Sequence, residues 1–366
     1  NGVDVVFGGG CKYVDEDVKS IFKDKGINYI EKNVSAFRSL DDAPAWALFA
    51  EKDMDFDLDR DTLAEPSLVE MTNKAISLLS KDKNGFFLMV EGSKVDYAAH
   101  SNDPLGIISE YEAFDKAVAA AIDFAKKDGN TTVIVVPDHG NSAMTIGDRN
   151  YAGYYKKGLD SAFVMLPKYK GTAVALSDKI EKCAPGEVRS IFKEFTGIDL
   201  SETEEKNIMD MRHCIESDYM NVSFSGNIMK VVTNILNAHT HIGYANGSHT
   251  SEDVFLAVYN PNGQRPEGFV EGTELAKYMV DVMGIGTTLD GLTSDIYVRS
   301  DVLFDGHECH VEPGKEPVLV VDEKIRIPAN RSYIFTEDGK KDLSSVSVYV
   351  PKNKNFYISK EILRYL

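Results

Sequence analysis

The stretch Val90-Glu91-Gly92-Ser93-Lys94-Val95-Asp96-Tyr97-Ala98-Ala99-His100 concentrates side chains that bind metal ions. Asp96 and His100 stand four apart, so a helical turn presents both from one face toward one ion. Glu91 follows Phe86-Phe87-Leu88-Met89-Val90, a short apolar run that reads as a buried parallel strand. A second such run, Thr131-Thr132-Val133-Ile134-Val135-Val136-Pro137, leads straight into Asp138-His139. Carboxylates and imidazoles at the carboxyl ends of two buried strands describe a metal site in the ligand crevice of an open α/β sheet. Taken alone, an Asp-His pair fits a helix cap or a core hydrogen bond as well as a metal, and Glu91 also fits a cap for the next turn.

Other chemistry-bearing residues read more blandly. His239 and His241 form an H-x-H pair suited to lining a pocket or sitting in a solvated loop. His307, Cys309 and His310 form a dense cluster without matching partners nearby, which reads as a surface turn. Gly8-Gly9-Gly10 follows a strand but has neither dinucleotide nor Walker spacing, so a tight turn is the better reading. Cys11, Cys183, Cys214 and Cys309 are widely spaced and form no zinc ribbon; a Cys183–Cys214 bridge and four isolated thiols stay equally open.

The elements that must position these residues alternate between strand and helix. Strands are expected at Val3–Phe7 and Ala45–Ala50, and helices at Asp15–Lys25 and Leu68–Leu79. A long alanine-rich helix over Ile108–Lys127 ends at Asp128-Gly129-Asn130, and Ala162–Leu166 reads as a further strand. That alternation predicts an α/β/α sandwich with a mostly parallel sheet. The core takes residues 1–167 and 244–290, including a strand at Asp253–Tyr259 and a helix at Thr273–Met283. Residues 168–243 read as a helical insertion, with helices at Glu187–Phe195 and Ser201–Arg212 and an N-cap at Ser201. Residues 291–366 read as a small β-rich extension with strands at Val318–Val321, Tyr333–Phe335 and Ser345–Val350.

Composition excludes some function classes. A net charge of −18 argues against nucleic acid, which requires a basic face. It allows a small phosphate substrate whose local field comes from bound cations. No apolar stretch reaches membrane-spanning length.

Three motifs together resemble the alkaline phosphatase family. Phe86–Ala119 carries an apolar strand, VEG, and Asp and His four apart; Val133–Asp148 (VIVVPDHGNSAMTIGD) is similar to the second metal strand and its loop. Gly247–Pro261 (GSHTSEDVFLAVYNP) matches the third motif, a histidine just before a returning strand. The resemblance implies that Asp96, His100 and His249 hold one zinc ion, Asp138 and His139 part of a second zinc site, and Glu91 a magnesium ion. It implies hydrolysis of phosphate monoesters through a phosphoserine intermediate, and export to the periplasm or secretion. Homodimerisation stays open. A phosphodiesterase or phosphomutase of the same superfamily, or a non-catalytic metal-binding module, are the competing readings; Glu91 ahead of the Asp96–His100 pair favours the monoesterase.

The pattern breaks at the nucleophile. The family's Asp-Ser-Ala motif precedes the first metal motif, whereas Asp160-Ser161-Ala162 follows the second and runs into an apolar segment. Ser161 is therefore expected to be structural. The chain is expected to be the larger C-terminal portion of an alkaline phosphatase, with weak or absent turnover on its own.

Overall fold

Val5, Val6, Phe7, Tyr29, Ile30 and Trp46 are β-branched, aromatic or apolar residues that favour a pleated surface. In the computed structural model, which describes residues 2–149, 151, 153, 156, 166–212 and 228–366, they form a parallel sheet. Its elements are β1 (Val5–Gly8), α1 (Glu16–Asp24), β2 (Asn28–Glu31), α2 (Val34–Ser39) and β3 (Ala45–Leu48). The sheet order is β1-β3-β2, with Ala45 opposite both Val5 and Asn28. Parallel neighbours need a crossover, and α1 and α2 supply it, each capped by the side chain that precedes it, Asp15 or Asn33. Ala45 and Ala47 are fully buried, and Phe37 packs edge-on against Phe7 and Phe49 at 5.1 and 5.2 Å.

Three helices carry the chain toward the site. Ser67 and Glu70 close a capping box at the start of α3 (Leu68–Leu79), where a helix was expected. Next come α4 (Ser93–His100) and α5 (Pro104–Asp128). The long helix starts four residues before the expected Ile108. Asp103 accepts from the Leu105 and Gly106 amides at 3.1 Å and Pro104 takes the first turn, a start signal that apolar periodicity does not register. Gly129, with φ of 72°, closes the helix as expected.

The run Phe86–Val90 is not a buried parallel strand. Among the described residues no strand pairs with it, and its side chains alternate, with Phe87 and Met89 65% and 74% exposed. One face is covered, Phe86 lying 6.2 Å from the Phe124 ring on α5, and the other is open. Apolar composition reported the covered face but carries no information on whether a neighbouring strand is present. The runs at 131–137 and 253–259 shrink for the same reason to β4 (Val133–Val135) and a distant partner, Ala257–Tyr259, which pair antiparallel rather than parallel.

Beyond β4 come β5 (Gly140–Asn141) and β6 (Met144–Ile146). The expected strand at Ala162–Leu166 lies outside the described residues except Leu166, which opens a short 3-10 turn. Residues 168–243 hold α6 (Ala173–Lys182), α7 (Val188–Thr196), α8 (Glu202–Met211) and α9 (Ile228–Thr240). The Ser201–Glu204 capping box forms as expected, and α6 and α9 are additional to the two helices expected there. These helices enclose their own apolar core of Leu176, Ile180, Val188, Phe192, Ile208, Val232 and Leu236. The chain then returns through β7 (Ile242–Tyr244), β8 (His249–Thr250) and β9 (Ala257–Tyr259), pairing β6 with β7 and β5 with β8.

The chain divides into two compact units, Val3–Gln264 and Arg265–Leu366. The helix expected in the core near Thr273–Met283 is α10 (Gly272–Val282) and falls in the second unit, followed by α11 (Leu289–Ile296), β10 (Tyr297–Arg299) and α12 (Ser300–Leu303). In this unit β11 (Cys309–Glu312), β12 (Val318–Val321), β13 (Ile325–Pro328), β14 (Tyr333–Thr336) and β15 (Gly339–Asp342) form an antiparallel meander. A second sheet joins β10 with β16 (Val348–Val350) and β17 (Asn355–Ser359) in the order β10-β17-β16. Val321, Ile327, Ile334, Phe356 and Ile358 fill the core of this unit.

Two constraints within Val3–Gln264 are testable. Glu110 on α5 is buried and accepts from the Asp57 amide at 2.5 Å, and burial pushes its carboxyl up to about 7. A folded-state value above the ordinary one stabilises below the unfolded pKa and is lost as pH rises through the folded value. Glu110→Gln keeps an acceptor for Asp57 but cannot ionise. It should raise stability by roughly 2 kcal/mol at about pH 9 and change little at about pH 5, read from melting curves at both. Gly92 precedes α4, and a Cβ there would sit 2.7 Å from Phe114 Cδ2 and 3.1 Å from its Cγ. Gly92→Ala should therefore cost about 1–3 kcal/mol by overpacking. Gly186→Ala, where a Cβ meets nothing within 4 Å, should melt with the parent.

Candidate metal centre

Helix α4 places Asp96 and His100 one turn apart, with His100 Nε2 3.4 Å from Asp96 Oδ2. His100 is buried, and its Nδ1 lies 3.0 Å from the Gly247 carbonyl. A carbonyl can only accept, so Nδ1 donates to it, and Nε2 is the ring nitrogen turned toward Asp96.

The third residue arrives from a distant segment. In the β5–β8 pair Asn141 stands opposite His249 and Gly140 opposite Thr250. This brings the His249 ring to 5.1 Å from His100. One ligand atom each from Asp96, His100 and His249 lies within 4.8 Å of the others. Among the described residues no other trio of His, Cys, Asp or Glu converges this closely. Tetrahedral zinc at about 2.1 Å from its donors wants them roughly 3.4 Å apart, so small side-chain rotations close the set. Two imidazoles and a carboxylate are a zinc-type donor set that leaves one position open, so the residues fit the ion the resemblance implies.

Asp138 and His139 repeat the pattern beside it. His139 Nδ1 faces the Gly140 carbonyl at 3.1 Å, and Nε2 lies 3.2 Å from Asp138 Oδ2. The His139 ring stacks on His249 at 3.6 Å, so this pair adjoins the first group without being part of it. Asp138 is 87% exposed, and His249 is exposed as well, so the site opens at the surface of this unit. Glu91 is exposed and, among the described residues, joins no such cluster.

The remaining candidates are engaged elsewhere. His239 pairs with Glu204 at 3.0 Å, and His241 stacks on Tyr151 at 3.8 Å. In the C-terminal unit His307 pairs with Asp322 at 2.6 Å and His310 lies 3.5 Å from Glu323. Cys183 is a free thiol, while Cys214 and Asp160-Ser161-Ala162 lie outside the described residues. Residue types missed three contributors: the Gly247 carbonyl, Gly140, and Asn141, whose Nδ2 donates to Asp96 Oδ1 at 2.6 Å. Gly140 permits a close approach, since a Cβ there would meet Thr250 Oγ1 at 2.6 Å. The carbonyl has no sequence signature, and a lone asparagine after Asp138-His139 has no ligand spacing to betray it.

Comparison with known proteins agrees with this geometry. The alkaline phosphatase family profile matches residues 1–285. Alkaline phosphatase 3 of Bacillus subtilis is 33% identical over 282 residues, which cover 75% of this chain and 57% of that protein. Alkaline phosphatase 4 of the same organism is 31% identical, covering 78% of this chain and 58% of that protein. The chain thus spans somewhat over half the length of these relatives. A crystal structure of a cold-active alkaline phosphatase from Shewanella sp. matches with a TM-score of 0.66 at 24% identity, over 78% of this chain and 66% of that one. That likeness shows the same α/β fold. With a family profile covering most of its length and three motifs meeting in space, this chain belongs to the alkaline phosphatase family.

Proposed function

We propose that this chain is the metal-binding part of a metal-dependent phosphate monoester hydrolase of alkaline phosphatase type, exported to the periplasm or secreted. The convergence of Asp96, His100 and His249 carries the reading. These three would hold one zinc ion, Asp138 and His139 would contribute to a second, and Glu91 would serve magnesium, a hard ion suited to carboxylate and water. When bound, such ions supply positive charge to the phosphate oxygens and to the attacking and leaving groups.

The chain's own residues prepare that chemistry. Gly247 and Gly140 accept from Nδ1 of His100 and His139, holding each ring so that Nε2 is the donor atom. His100 is buried while His249 and Asp138 are exposed, so ions here would be held from one side and open to substrate on the other. With a net charge of −18, the chain attracts a phosphate dianion only where cations outweigh its carboxylates. A phosphoserine route needs a serine in the family's position ahead of the first metal motif, and Ser161 does not stand there.

Chelator competition should show that the chain binds zinc tightly, and that Asp96→Ala and His249→Ala each abolish that binding. With zinc and magnesium present, the chain should hydrolyse p-nitrophenyl phosphate weakly or not at all, and Ser161→Ala should change nothing. Unaltered zinc affinity in both ligand variants overturns the metal assignment. Brisk turnover abolished by Ser161→Ala overturns the expectation that this serine is structural.

A further inference from the structure

Three consecutive main-chain carbonyls lead into His249, and each is taken by a different part of the chain. The Asn246 carbonyl accepts from the Asn102 side chain at 2.9 Å, and the Gly247 carbonyl lies 3.0 Å from His100 Nδ1. The Ser248 carbonyl accepts from the Ser142 amide at 2.9 Å. The last of these bonds continues the β5–β8 bridge and the middle one belongs to a ligand, but the first comes from a residue with no part in either. We propose that Asn102 is a positioning residue of the metal centre. Its amide fastens the approach to His249 onto the end of the ligand helix, so that the Gly247 carbonyl meets His100 and His249 arrives beside the pair. This rests on the metal reading above.

The side chain can do this in one orientation only. With its nitrogen toward the carbonyls, the Asn102 amide donates to Ala99 at 3.1 Å and to Asn246, and its oxygen accepts from Lys230 Nζ at 3.2 Å. Turned over, it would set oxygen against carbonyl oxygens and nitrogen against an ammonium. Lys230, on α9, therefore decides which way the amide points. It is half-buried, and burial pulls its ammonium pKa down, so an oxygen acceptor here offsets part of a desolvation cost. A cation on the amide oxygen also polarises the N–H groups toward the carbonyls they serve.

The backbone is bent to suit. Asn102 is buried and takes φ of 53°, a left-handed value that asparagine tolerates better than most residues. Glycine would make the same turn at less strain but could fasten nothing. The Asn102 carbonyl accepts from Asn237 Nδ2 at 2.9 Å, so α9 holds both its main chain and its side chain. On the far side, the Ser248 amide donates to Asn246 Oδ1 at 2.9 Å and closes the turn that follows the fastened carbonyl. Only Gly247 and Ser248 lie between that carbonyl and His249, too short a span for the ring to swing far. The β5–β8 bridge thus fixes His249 itself, and Asn102 fixes the chain that delivers it.

The test uses the full 366-residue chain and two variants that keep the turn. Asn102→Asp preserves the shape and an oxygen for Lys230 without the donor, and Asn102→Gly preserves the left-handed backbone without the side chain. Zinc affinity, measured by chelator competition, should fall about 10–100-fold in both, as for other partners that orient a metal ligand. In the metal-free chain, exchange of the His100 Nδ1 proton with water, followed by NMR, should quicken about tenfold, the loss of roughly one hydrogen bond. Lys230→Met, which keeps the apolar stem, should move both readouts in the same direction by less. Ile180→Val, in the apolar core of the helices, should lower the melting temperature and leave both readouts at the parent value.

Asn102 variants that behave like Ile180→Val, losing only melting temperature, overturn the proposal, as do variants identical to the parent. If neither Asn102 variant folds, Lys230→Met decides: zinc affinity and proton exchange both at the parent value overturn the role. A parent chain that takes up no zinc overturns the metal reading instead, while exchange of the His100 proton still tests the link from Asn102.

Discussion

The candidate site depends on one short antiparallel contact, Gly140–Asn141 against His249–Thr250. Asp96 and His100 come together for free, because a single helix places residues four apart on one face. His249 has no such local reason to be there. It reaches the pair only because the strand that follows Asp138-His139 bonds to the strand that carries it, and because Gly140 lacks the side chain that would hold the two apart. The same contact sets the His139 ring on the His249 ring and points Asn141 at Asp96. Three chemistry-bearing side chains, His249, His139 and Asn141, are therefore placed by a bridge of two residues on each side.

Local rules were legible and pairing rules were not. The capping boxes at Ser67–Glu70 and Ser201–Glu204, the Gly129 stop and the Asp96–His100 spacing are settled within a few residues, and each could be read directly from the chain. Three separated motifs in the right order were enough to anticipate that Asp96, His100 and His249 would meet. Phe86–Val90 shows the limit. An apolar run declares that something will cover it, not which face or by what, and here Phe86, Leu88 and Val90 are partly covered while Phe87 and Met89 face outward. Helices α6 and α9 are not among the helices the sequence predicts within residues 168–243. The groups that orient the ligands, two backbone carbonyls and one amide, belong to every residue or to common ones, so type alone could not single them out.

Residues 168–243 brace the ligand helix. His100 ends α4, and the three residues after it, Ser101, Asn102 and Asp103, are all buried and polar. Buried polar groups cost about 1–3 kcal/mol each when left without partners, so this corner survives only if something bonds to it. Part of the bonding is local, Ser101 donating to the Tyr97 carbonyl, and part comes from residues 168–243: Ala173 at the start of α6 donates to Asp103 at 2.7 Å, and Asn237 on α9 donates to the Asn102 carbonyl at 2.9 Å. Asp59 accepts from both the amide and the hydroxyl of Thr172, tying the same helix start to the loop after β3. Burial pushes the Asp103 carboxyl up to about 6, a sign of how fully this junction excludes water. A helix that offers a buried histidine to an ion cannot be supported on its open side, where substrate must enter. It is supported from behind, and the segment that does this supplies polar partners to the turn just past the ligand rather than to the ligand itself.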